Sequence, residues 1–203
     1  PRASERIERE AKIAETDRGT EHWAIRLSAT GTLTAGLLQL AQPDRSKDPD
    51  RQAAWVGVGA GSAWLIGTWL LSNHYTPYTS GRRQVAAMPA KTTREQLARE
   101  RAAEESIAAA ARMGTRLKWL SFISNGMASA FMIGNSRDDS AAKVAAIGSL
   151  VLSTAPLIFT HHWNMVEHEQ QDYKKRIFGP VAGISATAFS DGIRPVFAMQ
   201  WKW

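Results

Sequence analysis

The apolar residues of this 203-residue chain are gathered into four blocks, and this grouping constrains the fold more than any other feature. The blocks cover residues 23–42, 52–72, 117–133 and 142–163, and charged or turn-forming stretches separate them. Each block approaches the roughly 20 residues that an α-helix needs to cross a bilayer. We therefore predict a mainly α-helical membrane protein with four apolar helices.

Two charged amphipathic helices are expected beside the apolar ones. Residues 2–18 alternate acids and bases at spacings that allow pairing along one helix face. A second charged helix begins near Thr92 or Thr93, since either hydroxyl can cap a helix that carries Glu95 and Gln96 in its first turn. Both helices are predicted to be solvated.

The order charged helix, apolar helix, polar turn, apolar helix occurs twice, at an offset of about ninety residues. This self-similarity predicts two consecutive helical hairpins that arose by duplication, although two unrelated amphipathic hairpins could resemble each other by chance. We divide the chain into residues 1–72, which hold the first hairpin, residues 73–178, which hold the second, and residues 179–203.

The apolar blocks are only mildly hydrophobic. Small residues such as Gly57 and Gly61, four positions apart, predict close helix packing. Mild hydrophobicity also suits a chain that must pass through an inner membrane without stopping there. The glycines at 57, 59 and 61 do not predict a dinucleotide loop, because no strand precedes them.

Composition excludes several functions. The net charge of +6 could indicate nucleic-acid binding, but the cations alternate with acids and no nucleic-acid-reading motif is present. The chain has no Cys, and His161, His162 and His168 lack the spacing of a zinc site. No catalytic arrangement has supporting context, so we predict a protein that is not an enzyme and that uses no metal or cofactor.

Six tryptophans at or near the ends of the apolar blocks are predicted to contact lipid or the membrane interface. They are Trp23, Trp55, Trp64, Trp69, Trp119 and Trp163.

Two cations stand near the start of an apolar block in each repeat. Arg26 and Lys118 can extend along the helix and place their charges at headgroup depth, so we predict that both bind lipid headgroups. An ion pair between Arg26 and Glu21, or simple hydration, is the alternative.

The end of the chain changes to a period of two. Residues 181–189 predict one strand, Ser190-Asp191-Gly192 a turn, and residues 193–203 a second strand whose alternate positions are apolar. The strands have the length of tilted transmembrane β-strands. One hairpin leaves its edges unpaired in hydrocarbon, so we predict that copies pair in a cyclic homo-oligomer.

The residues predicted to pair between subunits and to face the membrane are Ile193, Phe197, Met199, Trp201 and Trp203. The alternative is a small two-stranded tail lying on the helices, which Pro195 favours because proline weakens a ladder.

Helical hairpins at 23–72 and 117–163, followed by a strand hairpin at 181–203, resemble the ring-forming outer-membrane proteins of the PopA type from predatory and other Gram-negative bacteria. The resemblance implies a bowl-shaped homo-oligomer, with a pentamer as one form, whose helices enclose membrane lipid. No motif allows family residues to be carried over.

Two functions therefore remain open. The first is an outer-membrane, ring-forming structural protein that organises lipid, with a pore as a related form. The second is a four-helix inner-membrane scaffold or transporter subunit, which the eight Lys or Arg against four Asp or Glu in residues 73–116 would allow. Since the sequence begins at Pro1, either it was trimmed or a signal peptide has been removed, and the first function favours removal.

Overall fold

The computed structural model is mostly helical and describes residues 2–16, 21–41, 48–136, 141–178, 183–189 and 192–198. The helices within these ranges are α1 (Ala3–Thr16), α2 (Trp23–Ala41), α3 (Asp48–His74), α4 (Pro77–Ala87), α5 (Thr93–Gly134), α6 (Ala141–Ser153), α7 (Ala155–Ile158) and α8 (His162–Phe178).

Helix α5 begins with the capping box that the sequence predicts. The Thr92 side chain accepts a hydrogen bond from the Glu95 amide (3.3 Å), and the Glu95 carboxylate accepts one from the Thr92 amide (3.0 Å). The helix then continues for 42 residues, about 63 Å at the usual rise per residue. The second charged helix and the third apolar block are therefore one helix, and the prediction that they are separate is wrong.

The fourth apolar block is interrupted instead of continuous. Helix α6 ends at Ser153, and the short α7 follows with Pro156 in its first turn. Because proline lacks an amide hydrogen, it cannot continue the hydrogen-bond ladder of α6. Helices α4 and α8 were not predicted from the sequence.

The helices form two regions that share α5. In the charged half, α1, α4 and α8 pack against the first part of α5, around Ile7, Tyr78, Ile107 and Val166. In the apolar half, α2 packs against both α3 and α6, and all three helices pack against the second part of α5. The amphipathic and apolar segments of the sequence are thus sorted to opposite parts of the molecule.

Two helical runs are long and apolar enough to cross a membrane. They are Arg51–Ala87 and Ala141–Arg176. Most residues of the apolar stretch in each run are not buried inside the protein. Within the described residues, α2 and the second part of α5 do not meet the same criterion. The four predicted apolar helices are therefore supported for two of the four.

Two strands, β1 (Gly183–Phe189) and β2 (Gly192–Ala198), pair antiparallel. Phe189 lies opposite Gly192, and Pro195 lies opposite Ala186. Their location in a membrane and their pairing between subunits stay predictions. The predicted residues that fall outside the described ranges are Ser190, Asp191, Met199, Trp201 and Trp203.

Candidate functional site

The interior of the apolar half is built from small and polar side chains. Ser129 Oγ and Ser149 Oγ lie 2.7 Å apart, and Ser149 Oγ donates to Thr32 Oγ1 at 3.1 Å. Nearby, the Asn125 amide donates to the Ser121 carbonyl oxygen at 3.0 Å. All five side chains are buried. Helices α2, α5 and α6 are therefore joined by a chain of hydroxyl groups at their shared contact.

The outer surface of the same half carries the large apolar side chains. A water-soluble protein places such residues inside and rarely exposes them over a wide continuous area. Here the usual distribution of polarity is reversed. The exposed large apolar residues of this half include Leu37, Leu38, Trp55, Val56, Ile66, Trp69, Leu70, Leu120, Ile123, Met127, Phe131, Val144, Ile147 and Val151.

Glycines bring α2 and α3 into close contact. A Cβ on Gly61 would lie 2.6 Å from the Leu33 amide nitrogen and 2.7 Å from the Ala29 carbonyl oxygen. Gly57 lies against Gly36 of α2 and the Met132 side chain of α5. The two glycines for which close packing is predicted therefore occupy positions where a side chain has no room.

The six predicted interface tryptophans divide into three groups. Trp23, Trp55, Trp69 and Trp119 are about half exposed. The partly buried Trp64 donates its indole N–H to Ser124 Oγ at 2.7 Å.

Trp163 is wholly buried, so the prediction that it contacts lipid is wrong. It lies against the rings of His22, His161 and Tyr75, with ring centroids 4.8–5.6 Å apart. Its place at the end of an apolar block suggested an interface, but residues from other parts of the chain enclose the indole.

The two predicted headgroup cations have different surroundings. The Arg26 guanidinium donates to Ser72 Oγ at 2.9 Å and to the Thr68 carbonyl oxygen at 3.4 Å, so it links α2 to α3. Lys118 is half-buried and lines a cavity between the two halves. Only Lys118 is thus seen facing a space that could hold a ligand.

An ionic network in the charged half runs from the buried Arg6 and Glu10 to the exposed Glu169. Arg6 forms an ion pair with Glu169 and another with Glu10 (Nε to Oε1, 3.2 Å), and His162 Nε2 lies 2.9 Å from Glu10 Oε2. Burial alone would raise the pKa of Glu10, but the hydrogen bond and charge of His162, together with Arg6, lower it overall. The network therefore fixes α1 to α8 through an ionised carboxylate.

Two histidines distant in sequence meet beside this network. His22 Nδ1 and His161 Nε2 lie 2.9 Å apart, and both residues are buried. Burial, together with the charge of Arg26, lowers the pKa of His22 to about 4, so its ring is neutral at pH 7.

The hydrogen bonds fix which nitrogen of each ring carries the proton. His161 Nδ1 accepts the Trp163 amide at 3.3 Å, as a side chain that caps α8 would. In neutral His161 the proton is therefore on Nε2 and is donated to His22 Nδ1. His22 must then carry its proton on Nε2, for which the described part of the chain provides no hydrogen-bond acceptor.

The N-terminus of α8 is held closely against α5. Asn164 donates to the Ala111 carbonyl oxygen at 3.0 Å and to Thr115 Oγ1 at 2.7 Å. Between them, a Cβ on Gly114 would lie 2.9 Å from Asn164 Oδ1 and 3.1 Å from His161 Nδ1. Gly114 thus permits the approach that places His161 beside His22.

A cavity of about 330 Å³ lies where the charged half meets the apolar half. Its polar lining includes Glu21, His22 and Lys118. Its apolar lining includes Trp23 and Phe159, whose ring centroids are 4.6 Å apart. Burial raises the pKa of Glu21, and the charge of His162 and the Trp163 indole offset only part of that effect. The cavity therefore combines the acid Glu21, the cation Lys118 and the rings of three histidines, His22, His161 and His162, with apolar walls.

Sequence reasoning found Lys118 but missed His22, Glu21 and Glu10 as parts of one site. Nothing local shows that they lie together, because His22 meets His161 and Glu10 meets His162, which are 139 and 152 residues away in sequence. Within the described ranges, no group of three or more His, Asp or Glu side chains is arranged to hold a metal ion.

Comparison with known proteins adds no assignment. No protein-family profile, no curated protein and no solved structure matches the chain.

Proposed function

We propose that this chain is an outer-membrane structural protein that assembles into a ring and encloses or organises membrane lipid. The observation that carries the proposal is the reversed polarity of the apolar half, with hydroxyl and amide groups inside and large apolar residues outside. Lipid is the surrounding in which large apolar side chains are stable on the outside, while the inner hydroxyl groups hydrogen-bond to one another between helices.

The dimensions of the apolar half support membrane residence. Helix α3, which lies in one of the two runs apolar enough to cross a membrane, has 27 residues, about 40 Å of helix, and the hydrocarbon core of a bilayer is about 30 Å thick. The charged half, with its solvated acids and bases, would then lie outside the hydrocarbon. Lys118 and the exposed Trp23 and Trp119 fall near the boundary, at the depth where cations and indole rings are stable.

Ring assembly is inferred from unpaired surface. Strands β1 and β2 pair with each other. Among the described elements neither strand has extensive contacts with a helix, so each strand keeps one unpaired outer edge. An edge placed in hydrocarbon is costly unless a neighbouring copy pairs with it. A closed ring, for which a pentamer is one form, satisfies every edge, and its inner apolar walls would hold lipid or a pore.

Fractionation tests the location. The untagged full-length protein is expected in the outer-membrane fraction and, after mild detergent extraction, as a homo-oligomer of defined mass by native mass spectrometry. A variant that ends at Pro180 is expected to keep the helical circular dichroism signal but to run as a monomer. Monomeric wild-type protein among inner-membrane markers would refute the ring.

That last outcome would support the second candidate, a four-helix inner-membrane scaffold or transporter subunit. The observation that favours it is the excess of Lys and Arg in residues 73–116, which is typical of a cytoplasmic segment. The two candidates differ in cellular membrane and in oligomeric state, so the same fractionation separates them.

A further inference from the structure

We infer that the cavity between the two halves binds the zwitterionic headgroup of an aminophospholipid, with the phosphate near Lys118 and His22 and the ammonium near Glu21. The inference rests on the proposed membrane residence and names a lipid class for it. The site is lined by residues of a single chain.

The position of the cavity is the first argument. It opens where solvated helices meet apolar ones, which is headgroup depth in the proposed orientation. Its mouth carries exposed apolar side chains, Trp23, Phe159 and Met165, which are each nearly half exposed. Acyl chains leaving the cavity would therefore continue along an apolar surface.

The polar lining is the second argument. The tautomer of His22 leaves an N–H donor without a described acceptor in a side chain that is 1% exposed, and such donors are rare in folded proteins. Lys118 adds a cation to the same lining. A phosphate supplies acceptor oxygens for both groups, and charge-assisted hydrogen bonds of this kind are strong.

Glu21 distinguishes a zwitterionic ligand from an anionic one. An anionic headgroup would meet repulsion from this carboxylate, whereas an ammonium group beside it would stabilise its charged form. The burial that raises the pKa of Glu21 shows that its charge is incompletely balanced by the protein alone. His162 also lines the cavity, but its ring is paired with Glu10 at 2.9 Å, so Glu21 and Lys118 are the two charges that a ligand carrying both signs would match.

The test measures lipid adducts on the full-length protein, purified in an uncharged detergent, by native mass spectrometry. The probes are dihexanoyl phosphatidylethanolamine, dihexanoyl phosphatidylglycerol, glycerophosphoethanolamine and inorganic phosphate. We expect the wild type to bind the ethanolamine lipid several-fold more tightly than the glycerol lipid. The two probes without chains should compete weakly, because the apolar mouth would contribute nothing to their binding.

Variants assign the two charges. K118M should weaken both lipids about tenfold, the usual loss for one charge-assisted contact, and K118R should restore most of the binding. E21Q should reduce the ethanolamine lipid to the level of the glycerol lipid and leave the latter unchanged or stronger. R116M is the matched control, because Arg116 is exposed on the same helix and lies outside the cavity lining.

Three results would overturn the inference. They are equal binding of the two lipids by the wild type, K118M and E21Q behaving like R116M, and inorganic phosphate competing as well as the lipid. Circular dichroism and melting temperature establish that each variant is folded before binding is compared. Since lipid selectivity is read on purified protein, its failure leaves the fractionation result intact, and a wrong membrane assignment leaves the selectivity measurable.

Discussion

Replacing Gly61 with alanine should separate α2 from α3. The added Cβ would lie 2.6 Å from the Leu33 amide nitrogen and 2.7 Å from the Ala29 carbonyl oxygen, well inside van der Waals contact. Both atoms belong to the backbone of α2, so no side-chain rotation can relieve the clash and the helix itself must move. Overpacking of this kind costs about 1–3 kcal/mol.

The same helix supplies the control. A Cβ on Gly59 meets nothing within 4 Å, so G59A should change stability by no more than about 1 kcal/mol, and helix propensity favours a gain. A loss of about 2 kcal/mol corresponds to a fall of roughly 4–8 °C in Tm for a chain of this size. G57A should lie between the two, because the atoms it meets on α5 belong to the flexible Met132 side chain.

The assay is thermal unfolding followed by helical circular dichroism in one detergent at fixed protein concentration. The expected order of melting temperatures is G59A, then G57A, then G61A as the lowest. Equal melting temperatures for G59A and G61A would refute the close approach of α2 and α3 and with it the packing of the apolar half.

Three further predictions concern the charged half and the boundary. The native network lowers the pKa of Glu10. The contribution of this carboxylate to stability is therefore complete above the ordinary glutamate pKa of about 4.3 and is lost as the pH falls through the lower native pKa. The Tm of the wild type should accordingly drop on acidification more steeply than the Tm of E10Q. G114A should displace the start of α8 and lower stability by about 1–3 kcal/mol. A shifted imidazole ¹⁵N spectrum of His161 would show the movement, whereas an unchanged spectrum and Tm would contradict it. Ile66 and Leu97 are similarly exposed, at 59% and 57%, but lie in different halves. I66K should reduce membrane insertion, because a cation at the centre of a membrane helix costs about 2.5–3.5 kcal/mol, whereas L97K should not. Equal insertion of the two variants would place α3 outside lipid.

The start of α5 could be read from sequence, whereas its continuity could not. Thr92 and Glu95 lie three residues apart and make a local motif, and local motifs survive folding. The change from charged to apolar composition near Leu117 looked like a boundary between helices. No proline or turn-forming run interrupts the chain there, so the change marks a different surrounding of one helix.

The close packing of Gly57 and Gly61 was also predictable, since spacing along a helix fixes which residues share a face. Gly57 and Gly61 share such a face and meet α2. The prediction for Trp163 failed because its burial depends on His22 and Tyr75, which are distant in sequence and lie against the indole. Sequence position near the end of an apolar block cannot show whether the following chain leaves the block or covers it.

The histidine pair shows why the rest of the site was inaccessible from sequence. His22 and His161 are 139 residues apart, and neither carries a local pattern that differs from an interfacial histidine. Their contact exists because α5 crosses both halves and Gly114 lets α8 approach it. The same helix carries Lys118 one turn further on, where the solvated part ends. A single long helix therefore determines both where the charged half stops and where the cavity opens, so the polar lining and the apolar mouth are held in fixed register. In the proposed orientation α5 holds the polar lining at headgroup depth and the apolar mouth beside the acyl chains. A headgroup site built in this way does not depend on neighbouring subunits.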